Sequence, residues 1–517
     1  MYPAVWADRD PDKVAVLVAG SDVALTYGEL ASRTARFGRY LRSVGLQPGD
    51  HIAVFMENHP RFFEIVWGGF AAGLQVTAVN RYSSLEEAIY VIADSGASVV
   101  VTTMQLHEVA RELPNAVPGC DGWLMVDGTV TGFESYEQVV GASPDEPFPP
   151  TSLLGDTMLY SSGTTGRPKG IRRPRQNRTL GEGLELVPFL SGAFGFDASS
   201  VYLSPAPLYH SAPLGFTTTV LGLGGTVVMM PRFDPLGALT AIERYRVTHS
   251  QWVPTMFVRM LRLPPAQRSA FDLSSHAVAI HAAAPCPRHV KEQMMEWWGP
   301  ILYEYYSGTE RPGITHVGPR EWLAHPGTVG RSLDATIHIC DDAGNELPPG
   351  ENGRIYFEKP GQRFEYHNDP AKTLASRHPE HPTWTTLDDV GRLDEEGFLY
   401  LTDRASFTII SGGVNIYPQE IEDCLIRHPR VADVAVIGVP DEEMGESVKA
   451  VVQSVDGVEG SPALAEELIA FAGRHLAPFK RPRSVDFVDE LPRSPTGKLY
   501  KGKLRERYWT GRDTSIG

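Results

Sequence analysis

No stretch of this sequence is long and apolar enough to read as a membrane span. The longest weakly polar run, residues 213–230, is broken by Thr217, Thr218, Thr219 and several glycines, and reads as a buried strand and turn. The opening residues, MYPAVWADRDPDK, carry charges where a secretion signal needs an apolar segment, so no targeting segment is expected. Cysteine is scarce: Cys120, Cys286, Cys340 and Cys424 lie far apart, with no Cys-x-x-Cys pair. That spacing excludes a disulfide framework and a structural zinc site, and predicts a reduced, cytoplasmic protein. Positive charge is short as well, with 47 Lys and Arg against 63 Asp and Glu and a net charge of −16. This excess of acid argues against broad binding to nucleic acid or anionic membranes, and leaves room for a local basic site for a phosphorylated ligand. No internal repeat or low-complexity tract stands out.

What remains is an ordinary globular composition, 42% hydrophobic and 21% charged, in a chain of 517 residues, too long for one core. A helical pattern opens at Leu25-Thr26-Tyr27-Gly28-Glu29-Leu30 and runs through Ala31, Phe37 and Leu41. Residues 51–55 and 97–102 read as buried strands and residues 62–72 as a helix. Residues 226–230 and 236–245 repeat the strand-then-helix alternation, which implies an α/β fold with a largely parallel sheet. After about residue 325 the texture shifts to short strands with Gly/Pro turns, at 336–340 and 353–358, predicting a β-rich subdomain over about 325–404. A compact α+β unit follows, with helices at 418–428 and 463–476 and strands at 434–439 and 448–453. The expected boundary divides residues 1–404 from residues 405–517.

The most informative stretch is Tyr160-Ser161-Ser162-Gly163-Thr164-Thr165-Gly166-Arg167-Pro168-Lys169-Gly170. Gly163, Gly166 and Gly170 let backbone amides turn toward an anion, while hydroxyls and Lys169 add donors and charge. Such a loop suits polyphosphate. It is not a Walker loop, because Pro168 and Gly170 stand where that pattern needs Gly and Ser/Thr, so a P-loop kinase or hydrolase is excluded.

This segment resembles the signature loop of the adenylate-forming superfamily, which includes acyl-CoA synthetases, peptide-synthetase adenylation domains and firefly-type luciferases. Further motifs recur in the family's order from about Leu25 to Lys503. The resemblance implies a large N-terminal domain of stacked mixed β-sheets with helices, and a small mobile C-terminal domain. It further implies ATP, Mg²⁺ and coenzyme A as cofactors, with a carboxylic acid or its acyl-AMP as partner. A homodimer is left open.

Residue by residue, Tyr305-Tyr306-Ser307-Gly308-Thr309-Glu310 resembles the second nucleotide motif: an aromatic flanks adenine, Thr309 contacts the α-phosphate and Glu310, with Thr164, holds Mg²⁺. A carboxylate beside three phosphates is chemically reasonable through a bridging hard cation. Asp389 and Arg404 match the pair on the ribose, and Lys498 in Pro495-Thr496-Gly497-Lys498 matches the adenylation lysine. An ammonium there stabilises both the entering carboxylate oxygen and the charge developing on phosphorus. Gly412 and Gly413 match the loop that reaches the active site for thioester formation, and Ser406 marks the hinge. Pro207-Leu208-Tyr209-His210 resembles the segment beside the acyl site. With His210, Trp252, Phe257, Ala282 and Ala283 are expected to line an apolar acyl pocket.

The implied activity is an acyl-CoA ligase working through an acyl-adenylate by domain alternation. Three departures bear on it. Ser406-Phe407 replaces the common hinge pair, Asp388 stands where Gly commonly precedes the ribose Asp, and Arg311 follows Glu310 where small residues are common. A guanidinium at 311 either points to solvent or pairs with Glu310 and competes with Mg²⁺. The second case would leave an enzyme that thioesterifies preformed acyl-AMP, or a non-catalytic acyl-nucleotide binder. An adenylation protein loading a carrier domain is the other alternative.

Overall fold

The computed structural model describes the chain except residues 162–167, 175–176, 362, 405–406, 413, 442, 494–498 and 510–517. Local signals in the sequence fix its first long element. Thr26 accepts from the Glu29 amide while the Glu29 carboxylate accepts from the Thr26 amide, a capping box that starts the helix Tyr27–Ser43. Its buried face, from Tyr27 through Leu30 and Phe37 to Leu41, recurs at helical spacing.

Two sheets build the large lobe. The first has six strands, all parallel, with His51–Phe55 between Ala97–Thr103 and Gln75–Val79 near its centre. The second has nine, running Arg331–Ser332, Thr315–Val317, Leu302–Tyr306, Val278–His281, His249–Trp252, Val201–Ser204, Thr226–Met229, Val14–Val18, Ala24–Thr26. Its interior is parallel and both edges are antiparallel. One core cluster, including Val54, Phe63, Trp67, Tyr202, Phe216 and Val227, joins the two sheets through the helices between them. The fold is therefore mixed α/β, with stacked sheets as the resemblance implied. A five-stranded sheet follows, built on Thr336–Cys340, Gly353–Glu358, Asp389–Leu393 and Leu399–Arg404. Beyond it, the long hairpin Val431–Asp441 and Gly445–Ser454 carries a second, smaller core with the helices Pro418–Leu425 and Pro462–His475.

Two expectations need correction. Residues 213–230 are not strand and turn alone: Ser211–Leu223 is a buried helix, followed by the strand Thr226–Met229. Thr217, Thr218 and Thr219 donate back to the carbonyls of Pro213, Leu214 and Gly215, four residues earlier, so β-branched hydroxyl residues sit in a buried helix without unmet polar groups. Among the described residues no helix is long and apolar enough to cross a membrane.

Trp252 and Phe257 do not line a pocket either. Both are fully buried in a core between the large sheet and the helices Pro254–Leu261 and Arg288–Trp298, with their rings packed on Trp298. Strand alternation explains the error. In His249–Trp252, Ser250 and Trp252 face that core, while Gln251 faces the opposite side and accepts from the Tyr202 hydroxyl at 3.2 Å. Phe257→Leu is therefore expected to lower stability by roughly 1–2 kcal/mol in chemical denaturation. It should leave the KM for the organic acid unchanged, as an acyl-pocket residue would not.

Candidate active site

The phosphate-loop segment emerges from a hairpin, Leu159–Ser161 against Lys169–Arg172, in which Ser161 pairs with Lys169. Ser162, Gly163, Thr164, Thr165 and Gly166 lie outside the described residues. Glu365–Tyr366 adds a third strand, pairing Tyr366 with Ile171. This brings the Lys169 ammonium to 5.9 Å from the Tyr366 ring centroid, and the Tyr366 hydroxyl donates to Glu310 at 2.9 Å. Burial lowers the Lys169 pKa, the neighbouring Lys372 ammonium lowers it further, and Asp369 and Glu310 oppose the shift. Neither Tyr366 nor Lys372 belongs to a motif that the sequence singled out.

Glu310 sits in the turn after the strand Leu302–Tyr306. A side chain at Gly308 would come within 2.8 Å of the Glu310 carboxylate and 2.9 Å of the Leu387 methyls, so both side chains would have to shift to admit one. Thr309 occupies the same turn. The Tyr306 hydroxyl donates to the buried Asp389 carboxylate at 2.6 Å. Asp389 pairs in register with Arg404 on the neighbouring strand, which sets the two positions side by side; the Arg404 side chain lies outside the description. Asp388, just before, has φ +67°, the left-handed conformation that favours glycine, while its amide donates to the Thr386 hydroxyl.

Tyr305 parts from Tyr306. Adjacent residues of a strand face opposite sides, and Tyr305 turns toward Phe189 and Phe216, with both ring centroids 5.8 Å away. Gln251 donates to its hydroxyl at 3.1 Å, and burial pushes that hydroxyl's pKa up. The structure thus separates the two tyrosines expected at the nucleotide: only Tyr306 stands on the Asp389 side. Phe216 belongs to the helix that begins at Ser211, and His210, its N-terminal cap residue, lies against the Tyr209 ring at 4.3 Å. Ala282 and Ala283 follow the strand Val278–His281. Ala282 is buried, and Ala283 is exposed at φ +73°.

Arg311 takes neither course expected of it. It has φ +52°, its side chain is only 18% exposed, and its guanidinium donates to Glu185 at 3.2 Å. Arg173 completes the cluster, 2.7 Å from Asp156 and 3.8 Å from Glu185. Burial, then Arg173, lowers the Arg311 pKa to about 10 against the pull of Glu185 and Asp156. The turn that carries Glu310 therefore throws the next side chain inward, toward Gly215, and Glu310 is left to Tyr366.

In the small lobe, Arg493 and Leu499 form a bridge around residues 494–498, so Lys498 lies outside the described residues. Tyr500, directly after the bridge, interacts electrostatically with Tyr209 and with Glu87 of the large lobe. Gly412 lies in the turn between Ile409–Ser411 and Val414–Ile416, exposed, with φ +58° and its amide bonded to the Met444 carbonyl. Gly413 and Ser406 are outside the described residues. Buried Lys501 joins Glu422 at 2.9 Å and reaches Asp403 at 3.9 Å, across the junction of the lobes.

Among the described residues, no group of three or more His, Cys, Asp or Glu could hold a metal ion. A single carboxylate, Glu310, suits a Mg²⁺ that arrives with its other ligands on nucleotide phosphates.

A family model for AMP-binding enzymes matches residues 4–366, and one for the AMP-binding enzyme C-terminal domain matches residues 420–498. This chain belongs to the AMP-binding enzymes. It is 34% identical over 512 residues to a feruloyl-CoA synthase of an Amycolatopsis species, covering 98% of each chain. It is 30% identical over 537 residues to a long-chain-fatty-acid–CoA ligase of Bacillus subtilis, covering 97% of this chain and 92% of that one. ATP-bound MatB from Rhodopseudomonas palustris has the same fold, with a TM-score of 0.84 at 28% identity and 99% coverage of both chains. For an AMP-binding enzyme with Arg311 paired to Glu185, Arg311→Gly should not accelerate acid-dependent ATP–pyrophosphate exchange. Its cost should appear in stability, about 1–3 kcal/mol by denaturant titration, because it strips a partly buried carboxylate of a partner.

Proposed function

We propose that the chain is an AMP-forming acyl-CoA ligase whose acid is apolar and ring-bearing, about the size of a hydroxycinnamate. The observation that carries this reading is the alternation at the end of one strand. Tyr306 stands with Asp389 on one side, and Tyr305 stands with Phe189, Phe216 and Gln251 on the other. A nucleotide on the first side and a flat acid on the second bring α-phosphate and carboxylate together beside Thr309. Aromatic walls favour a planar group by offset or edge-on packing, and Gln251 with the Tyr305 hydroxyl offers a polar contact for a ring substituent. Similarity to a feruloyl-CoA synthase over nearly the full length supports the same class of acid.

In the first half-reaction, a carboxylate oxygen attacks the α-phosphorus of ATP and pyrophosphate leaves. Lys498 is assigned the entering carboxylate, Lys169 with the hydroxyls and amides of residues 161–166 the phosphates, and Asp389 and Arg404 the ribose. Mg²⁺ bound with ATP supplies charge neutralisation, and Glu310 and Thr164 are the residues that would hold it. In the second half-reaction, the CoA thiol attacks the acyl carbon and AMP leaves. Residues 405–517 turn about Ser406 to exchange Lys498 for the Gly412–Gly413 loop, and closure keeps water from the mixed anhydride. The inward course of Arg311 removes the reason to expect a ligase confined to preformed acyl-AMP. Cytoplasmic residence and a homodimeric state complete the proposal.

The test supplies a panel of cinnamic, benzoic and fatty acids with ATP, Mg²⁺ and CoA, and detects acyl-CoA by mass spectrometry. Ring-bearing acids should give thioester, and a panel without any thioester product overturns the reading. Lys498→Ala should cut thioester formation from free acid by roughly 10²–10³-fold while sparing the reaction of synthetic acyl-AMP with CoA. Chelation of Mg²⁺ should divide the two halves in the same way.

A further inference from the structure

Tyr366 reaches Glu310 from a strand that is firmly held. Glu365–Tyr366 runs antiparallel to Lys169–Arg172, with Tyr366 opposite Ile171 and Glu365 opposite Arg172. Phe364, Ile171 and Tyr366 form a small buried cluster, and the Phe364 and Tyr366 rings meet edge to face at 5.4 Å. The Tyr366 amide donates to the Thr373 hydroxyl at 2.9 Å, and the next amide, of His367, donates to the Gly170 carbonyl at 2.8 Å. Asp94 ties the following residue to the phosphate hairpin: its carboxylate accepts from Asn368 at 3.0 Å and from Tyr160 at 2.6 Å. Tyr366 itself is only 9% exposed, so its hydroxyl has little freedom in where it donates.

That hydroxyl donates to Oε1 of Glu310 at 2.9 Å. The other oxygen, Oε2, lies 2.8 Å from where a side chain at Gly308 would begin, on the side that glycine leaves open. Among the described residues, Oε2 has neither a hydrogen-bond donor nor a paired cation. Arg311 turns away to Glu185, and the Lys169 ammonium stands 5.9 Å from the Tyr366 ring centroid without an ion pair to Glu310. A neutral hydroxyl fixes a carboxylate by one oxygen and leaves its negative charge in place, whereas a lysine or arginine at the same point would cancel it. The result is a carboxylate with one oxygen engaged, one oxygen open and its charge unspent.

We propose that Tyr366 is a positioning residue for the metal carboxylate: by holding Oε1 it presents Oε2 of Glu310 to the Mg²⁺ that arrives with ATP. A hard divalent cation takes a carboxylate oxygen as ligand, and a side chain already fixed in place loses less rotamer freedom on meeting it. Tyr366 acts through Glu310 and touches neither nucleotide nor acid, so its effect on ATP binding exists only when the metal does. The inference rests on the reading of Glu310 as the residue that would hold Mg²⁺, and adds the group that aims it.

The experiment titrates the full-length wild type, Tyr366→Phe, Glu310→Gln and the double variant with ATP by calorimetry, once in Mg²⁺ and once in EDTA. Phenylalanine keeps the ring and its packing on Phe364 and Ile171, so the fold is retained. Tyr366→Phe should weaken MgATP binding about five- to tenfold and leave metal-free ATP within about twofold of wild type. In the Glu310→Gln background the same change should cost MgATP less than about twofold, because the carboxylate through which Tyr366 acts is gone. An equal loss with and without Mg²⁺ overturns the proposal and marks a tyrosine that only packs. Unchanged MgATP affinity in Tyr366→Phe overturns it too, as does an undiminished loss in the double variant. Glu310→Gln that binds MgATP like wild type sinks the assignment of Glu310 to the metal and the proposal with it; a loss in Glu310→Gln without one in Tyr366→Phe sinks the proposal alone.

Discussion

The alternation of side chains along a β-strand is the constraint on which the site depends. The strand Leu302–Tyr306 is the last of the parallel stretch of the large sheet, paired in parallel with Val278–His281 on one side and antiparallel with Thr315–Val317 on the other, so its backbone is fixed from both sides. Two consecutive tyrosines at its end are then forced apart. One joins an aromatic cluster with Phe189 and Phe216, and the other bonds to Asp389 in the next sheet. No loop has to choose between these directions. The end of one strand thus presents two different surroundings within one residue's rise.

The rest of the large lobe secures that strand end. The side chains of Glu310 and Leu387 both crowd the open side of Gly308, and Tyr366 holds Glu310 from the side. Tyr366 is placed by the strand beside Lys169, so the carboxylate and the lysine belong to one mechanical unit even though 141 positions separate them (310 − 169). The hydrogen-bonded framework fixes these groups relative to one another.

Much of this was legible in the sequence because its signals are local. Thr26 and Glu29 announce a helix start, and strands 51–55, 336–340 and 353–358 fall where their apolar pattern puts them. Glycine-rich loops and the Tyr-Tyr-Ser-Gly-Thr-Glu run carry chemistry in their order. The misreadings came from facts that only tertiary structure holds. Trp252, expected at the acyl pocket, faces the core from its strand while its neighbour Gln251 faces Tyr305, and two-residue periodicity over four residues does not say which face is the site. Residues 213–230 contain a helix because its threonines find carbonyls one turn back. Tyr366 carries no motif, and it meets Lys169 and Glu310 only through strand pairing.

Arg311 and Glu185 lie 126 positions apart and share one partly buried charge balance with Arg173 and Asp156. Loss of either member alone leaves its counterpart in a poorly solvated place, while loss of both together does not. Across a lineage, the two positions should be inherited as a linked pair, so that a relative with a small residue after Glu310 should lack the acid at 185 as well. A side chain that looks like a blemish in a nucleotide motif then belongs to a different neighbourhood, which holds it there.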